Sequence, residues 1–213
     1  MEFEERHRVV SEPNSRLIGR VDMGPISGVT RMPLFMDVDG GLCGIPFNNA
    51  AVWWELERLP TFAPAPYPSH AWVSTAAVAA LNELIDERLV EPIWCSTWDA
   101  GANSLIPALG LHGGPWPVAT VGTRQGDLMF RDIWIKAQAV SRAVTYQEFV
   151  MVDDLLGEED GGPWTPQRRS MHQTFGGTAS LLVGTKPDRG LTVADVLRVR
   201  AYVQHRECSG DAP

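Results

Sequence analysis

"MPLFMDVDGG", residues 32–41, is the stretch on which the reading of this chain turns. A short apolar run bounded by turn residues predicts a buried strand. This one ends on two carboxylates, Asp37 and Asp39, followed at once by Gly40 and Gly41, which offer no side chain to shield them. Taken alone, Asp-x-Asp before glycine is most often a tight turn with polar shoulders. The competing reading is a seat for something cationic and something phosphorylated.

The same texture recurs downstream. "VEPIWCST" (90–97) reads as a second buried strand ending on Ser96 and Thr97, and "EFVMVDD" (148–154) as a third ending on Asp153 and Asp154. "ASLLVGT" (179–185) reads as a fourth. Helical patterns lie between and after them. Ser74 can cap 75–89, where Val78, Leu81, Leu84, Ile85 and Leu89 fall at helical spacing. "DAGANSLIPALGL" (99–111) reads as a short helix and "FRDIWIKAQAVSRAV" (130–144) as a longer one. Thr192 opens the last helix, 193–206, with Asp195 placed for a capping box. Residues 41–72, rich in Pro and Trp, are expected to be irregular, with one helical turn near 50–59.

Strands alternating with helices predict an α/β fold: a Rossmann-like, mostly parallel sheet with helices on both faces, a three-layer sandwich. Ligands of such sheets bind beyond the carboxyl ends of the strands. Asp37/Asp39, Ser96/Thr97 and Asp153/Asp154 would therefore converge on one edge. The 213 residues suit one domain, taken as 32–206, with a polar arm over 1–31 and a short tail over 207–213.

Composition narrows the function classes. No long apolar run predicts a membrane span, and the charged N-terminus lacks the apolar core of a secretory signal. Three scattered cysteines without a CxxC spacing point to reduced thiols, a cytoplasmic setting and no zinc site. A net charge of −8 argues against strong electrostatic binding of nucleic acid. Of the 18 basic residues only Lys136 and Lys186 are lysines.

Four carboxylates gathered in one crevice repel each other unless a cation sits among them. All-oxygen ligands favour a hard ion, and Mg²⁺ is the natural choice. A hydroxyl from Ser96 or Thr97 and the charge of Lys136 would suit a phosphate. Each signal alone has a blander reading: a turn, a helix cap, a solvated lysine.

In order and placement, "DVDG" (37–40), "IWCST" (93–97), Lys136 and "MVDD" (151–154) resemble the motifs of the haloacid dehalogenase-like (HAD) hydrolase superfamily. The likeness runs from about Met32 to about Gln204 and is closest to a compact bacterial subgroup related to the HAD-type domain of RNA-repair proteins. It implies a Mg²⁺-dependent phosphatase working through an aspartyl-phosphate. Asp37 would be the nucleophile and Asp39 the acid and base. Ser96 or Thr97 would hold the phosphate with Gly40, and Lys136 would neutralise it. Asp37, Asp39, Asp153 and Asp154 would form the metal site, with Asp154 preferred over Asp153 as direct ligand. Gly41 stands where relatives commonly carry Thr or Val, which suggests a looser loop. The stretch 98–135 is too short for a large cap, so an open crevice suits a phosphorylated small molecule or a nucleic-acid end. Trp164, Arg168 and Arg169 are candidates to line it by stacking and by gripping a second phosphate, though stapling a loop to the core is the commoner role of such tryptophans. A catalytically inactive module that binds a phosphorylated ligand or partner protein is the alternative. No GxGxxG follows the first strand, so a dinucleotide site is not expected.

Overall fold

The structure, a computed structural model, describes residues 31–45, 56–61, 69–119, 136, 139–140, 148–156 and 180–208. The expected arm lies outside them apart from Arg31, and the last helix extends through Cys208 into the expected tail.

Among the described residues six strands form, in two sheets. β1 (Met32–Met36), β4 (Val90–Trp94), β5 (Phe149–Asp153) and β6 (Ser180–Gly184) make a parallel sheet in the order β4-β1-β5-β6. Met32 to Met36 pair with Val90 to Trp94, and Leu34 to Met36 with Val150 to Val152. β2 (Glu57–Pro60) and β3 (His70–Val73) form a separate antiparallel ribbon. That ribbon departs from the irregular reading of 41–72. "ERLP" is almost wholly exposed and carries no apolar alternation, so nothing local announces it. Its cohesion comes from cross-strand pairing and from Gly44 N–H, which donates to the Trp72 carbonyl at 2.8 Å.

Side-chain alternation along the parallel strands builds an apolar cluster on each face. Leu34, Met36, Val90, Trp94, Val150 and Val152 pack with α1 (Thr75–Asp86) and with Val196, Val199 and Val203 of the last helix. Phe35, Ile93, Phe149 and Met151 pack on the other face with Ala139 and Val140. α1 starts as its sequence predicts: the Ser74 hydroxyl accepts the Ala77 N–H at 3.3 Å, and Leu81 and Leu84 point into the core. Truncating either leucine to Ala would cost about 2–5 kcal/mol. The stretch 99–111 divides into a 3₁₀ turn (Asp99–Ser104) and α2 (Leu105–Leu109), stopped by Gly110 in the left-handed conformation. α3 (Val193–Cys208) is tied to α1 by Arg200 with Glu83 and Glu87, and to the start of β5 by Arg206 with Glu148.

The chain runs outward from β1 to β4, then returns to the other side of β1 to form β5 and β6. The switch point of the sheet therefore lies between β1 and β5. Crevices for ligands open at such points, outside the carboxyl ends of the strands. Among the described residues no helix is long and apolar enough to cross a membrane.

Candidate functional site

Asp37 follows β1 directly, and Asp153 closes β5. Because the two strands are neighbours in register, the carboxylates meet at the switch point. Asp37 N–H donates to the Val152 carbonyl at 3.0 Å, which continues the ladder to its last rung. Asp37 and Asp153 are both buried, and Asp154 is half-buried at the start of a 3₁₀ turn (Asp154–Leu156). One carboxylate oxygen from each of the three lies within 4.8 Å of the others.

Lys136 reaches this cluster from a helical segment on the face of Phe35 and Met151. It stands one turn before Ala139 and Val140, the i, i+3, i+4 spacing that puts all three on one helix face. The two small apolar residues seat the helix on the sheet and carry the ammonium to the strand ends. Its Nζ lies 2.9 Å from Asp37 Oδ2 and 2.6 Å from Asp153 Oδ2. Burial alone would lower the lysine's pKa, but the Asp153 and Asp37 carboxylates outweigh it and hold the pKa above its ordinary value. The lysine is therefore charged. Asp153 is pushed the other way from a usual ion-paired carboxylate: complete burial raises its pKa, against the opposing pull of Lys136. Among the described residues the buried part of the cluster is two carboxylates, Asp37 and Asp153, to one ammonium, and an excess of negative charge out of water favours taking up a proton or a cation.

The oxygens are not equally available. Asp153 Oδ2 accepts from Lys136, and its Oδ1 accepts the Leu155 N–H at 2.9 Å. Asp37 Oδ1 accepts no hydrogen bond among the described residues. The donor set is oxygen throughout, which fits a hard divalent cation.

Asp39 sits at the exposed lip of the site, yet its carboxylate is held. The Trp98 indole N–H donates to Asp39 Oδ2 at 2.8 Å from a buried ring just beyond β4. Crowding by protein raises the Asp39 pKa, the Trp98 bond pulls it down, and the charge of Asp37 raises it again. The net direction is upward. Ser96 is buried and accepts the Trp98 N–H at 3.4 Å, while Thr97 is half-buried beside it.

The glycines have steric reasons. Gly40 has φ +78°, and a Cβ there would lie 2.6 Å from Asp154 Cγ. A Cβ on Gly41 would lie 2.6 Å from the Asp37 carbonyl oxygen. That oxygen accepts the Leu42 N–H at 2.9 Å, and Gly40 N–H donates to the Cys43 carbonyl at 2.7 Å. Gly41 thus permits a tight turn that a side chain would obstruct. Thr185, just past β6, fastens this turn by donating its hydroxyl to the Gly40 carbonyl at 2.6 Å.

No family model, curated protein or solved structure matches this chain. Asp37, Asp153, Asp154 and Lys136 come together, with Asp39 and the Ser96–Trp98 turn beside them. Trp164, Arg168 and Arg169 lie outside the described residues. Two participants carried no assigned role in the sequence, Trp98 and Thr185. Trp98 had a signal in the tryptophans flanking Ser96 and Thr97; Thr185 had none beyond ending a strand.

Proposed function

We propose that this chain is a HAD-like phosphatase, a three-layer α/β hydrolase that cleaves a phosphomonoester through an aspartyl-phosphate on Asp37. The observation that carries the reading is the pairing of two differently treated carboxylates on one turn. Asp37 is clamped by buried Lys136, while Asp39 is held by Trp98 and its pKa is raised. A nucleophile needs orientation and a general acid needs a proton near neutral pH, and these environments favour each in turn.

With Oδ2 engaged by Lys136, Asp37 Oδ1 is the oxygen that attacks phosphorus. As that bond forms, the ester P–O bond breaks and Asp39 gives its proton to the leaving oxygen. A water then attacks the aspartyl-phosphate and passes a proton to Asp39, and inorganic phosphate departs with Asp37 restored. Mg²⁺ would be held by the Asp37 carboxylate, Asp154 and the Asp39 carbonyl, and would offset the charge of the phosphoryl oxygens. Both Asp153 oxygens already accept hydrogen bonds, which supports an orienting role for it and Asp154 as the direct ligand. Ser96, or Thr97 beside it, would donate to the phosphate, and Gly40 lets the backbone approach it.

Hydrolysis of an aryl phosphate with Mg²⁺ and with chelator tests the reading. Turnover should need the metal, vanish in Asp37→Asn and fall roughly 10²–10⁴-fold in Asp39→Asn. Mg²⁺ binding by calorimetry with no turnover of any phosphomonoester would refute the enzyme and favour a phospho-ligand binding module.

A further inference from the structure

The turn joining β6 to α3 encloses a half-open cavity of about 200 Å³, lined by Gly184, Thr185, Lys186, Arg189, Thr192 and Asp195. It holds Lys186, the second of the chain's two lysines, and an exposed arginine three residues later. Lys136, Arg200 and Arg206 each have carboxylate partners. Lys186 and Arg189 have none among the described residues. Among the described residues that line the cavity the one acid, Asp195, is already engaged. Its Oδ2 accepts both the N–H and the hydroxyl of Thr192, at 3.0 and 2.6 Å, and the Thr192 hydroxyl accepts the Asp195 N–H in return. This closed capping box occupies the start of α3 and leaves Lys186 and Arg189 as the charges of the cavity that no described residue pairs.

The cavity shares a wall with the carboxylate site. Thr185 lines it, and the same residue donates its hydroxyl to the Gly40 carbonyl and its N–H to the Asp153 carbonyl at 3.4 Å. The turn is held against the loop after Asp37 by Ile45 N–H on the Pro187 carbonyl at 2.7 Å, and by Gly190, where a Cβ would lie 2.7 Å from Cys43. β6 is two strands from β1 in the sheet, which puts the cavity roughly 10 Å from Asp37. Its volume is below the several hundred Å³ of a whole-ligand pocket and suits one oxyanion group.

We infer that this cavity is a second-phosphate subsite: Lys186 and Arg189 receive a distal phosphate of a substrate whose other phosphate is hydrolysed at Asp37. The inference rests on the phosphatase reading for its catalytic half only. It assigns the substrate class as a phosphomonoester carrying a second phosphate, whether on a small molecule such as a nucleoside bisphosphate or on the backbone of a nucleic-acid end.

The test compares wild type, Lys186→Gln/Arg189→Gln and the charge-keeping Lys186→Arg/Arg189→Lys on the full chain. Substrates are an aryl phosphate, adenosine 5′-phosphate, adenosine 3′,5′-bisphosphate and a 5′-phosphorylated dinucleotide. Wild type should prefer the last two over the monophosphates through KM. The glutamine pair should erase that preference by about tenfold or more, and the charge-keeping pair should retain most of it. The bisphosphate and dinucleotide arms separate the two sources of the second phosphate. A binding arm needs no turnover: inorganic pyrophosphate, in chelator, should shift the backbone amide resonances of 184–195 in wild type and not in the glutamine pair. Amide shifts without phosphatase activity would uphold the subsite and sink the catalytic reading. Normal turnover with no bisphosphate preference and no shift at 184–195 would overturn the subsite and leave the phosphatase standing.

Discussion

Replacing Lys136 by Met probes the core of the site directly. Lys136 is 3 % exposed, and its ammonium touches the carboxylates of Asp37 and Asp153, residues 5 % and 0 % exposed. Methionine keeps most of the side chain's bulk, so the loss is one of charge and not of packing. Removing one partner of a buried pair costs about 3–5 kcal/mol, because the remaining charge is left without compensation. In a chain of this length each kcal/mol moves the midpoint by about 2–4 °C, so thermal unfolding in chelator should fall by roughly 6–20 °C. Near-UV circular dichroism can follow it, since Trp94 and Trp116 stack with centroids 4.4 Å apart in the core. Lys136→Met/Asp153→Asn should be distinctly more stable than the sum of its single variants, since the second change removes one stranded charge. Saturating Mg²⁺ should stabilise Lys136→Met more than wild type, because the variant's cluster is more negative. A midpoint shift under about 2 °C, or strict additivity with Asp153→Asn, would show that Lys136 is not the counter-charge of this cluster.

Three further outcomes follow from the turn and its neighbours. Gly40→Ala forces a left-handed residue to carry a Cβ against the Asp154 carboxyl; it should cost about 1–2 kcal/mol and lower Mg²⁺ affinity by calorimetry more than it lowers the unfolding midpoint. Trp98→Phe keeps the ring and deletes the N–H that pulls the Asp39 pKa down; the alkaline limb of the kcat profile should move to higher pH, and an unmoved limb would remove Trp98 from any role on Asp39. Asp39 has a folded pKa above its unfolded one, so its contribution to metal-free stability is full below about pH 4 and is lost as pH rises through the raised value. Asp39→Asn should therefore gain on wild type in chelator as pH goes from 4 to 8, read as denaturant midpoints; a difference independent of pH would contradict the shift.

The parallel strands were legible because each is a brief apolar run ending in polar residues, and α1 and α3 because their caps and periodicity agree. The ribbon was not. Glu57 and Arg58 face solvent, and β2 exists through its pairing with β3, a relation no local pattern records. Lys136 could be placed by order only, yet Ala139 and Val140 explain why it arrives, since small apolar residues one turn on let its helix sit close on the sheet. Trp98 reaches Asp39 across 59 positions of sequence, and Lys186 with Arg189 acquire meaning from the shape of a turn. Such long-range closures are set by the fold and leave little trace in composition or spacing.

Cys43 gives the turn after Asp37 a chemical clock. The residue is buried between the Gly40 contact and the Gly190 crossing, and burial, with Asp39 and Asp37 nearby, raises its pKa so that it stays a thiol. Alkylating reagents attack thiolates that solvent can reach. Each labelling event at Cys43 therefore requires the whole clasp of 38–45 against 185–190 to come apart. The rate of its modification counts those openings, and any molecule that settles across both halves of the clasp will slow the count.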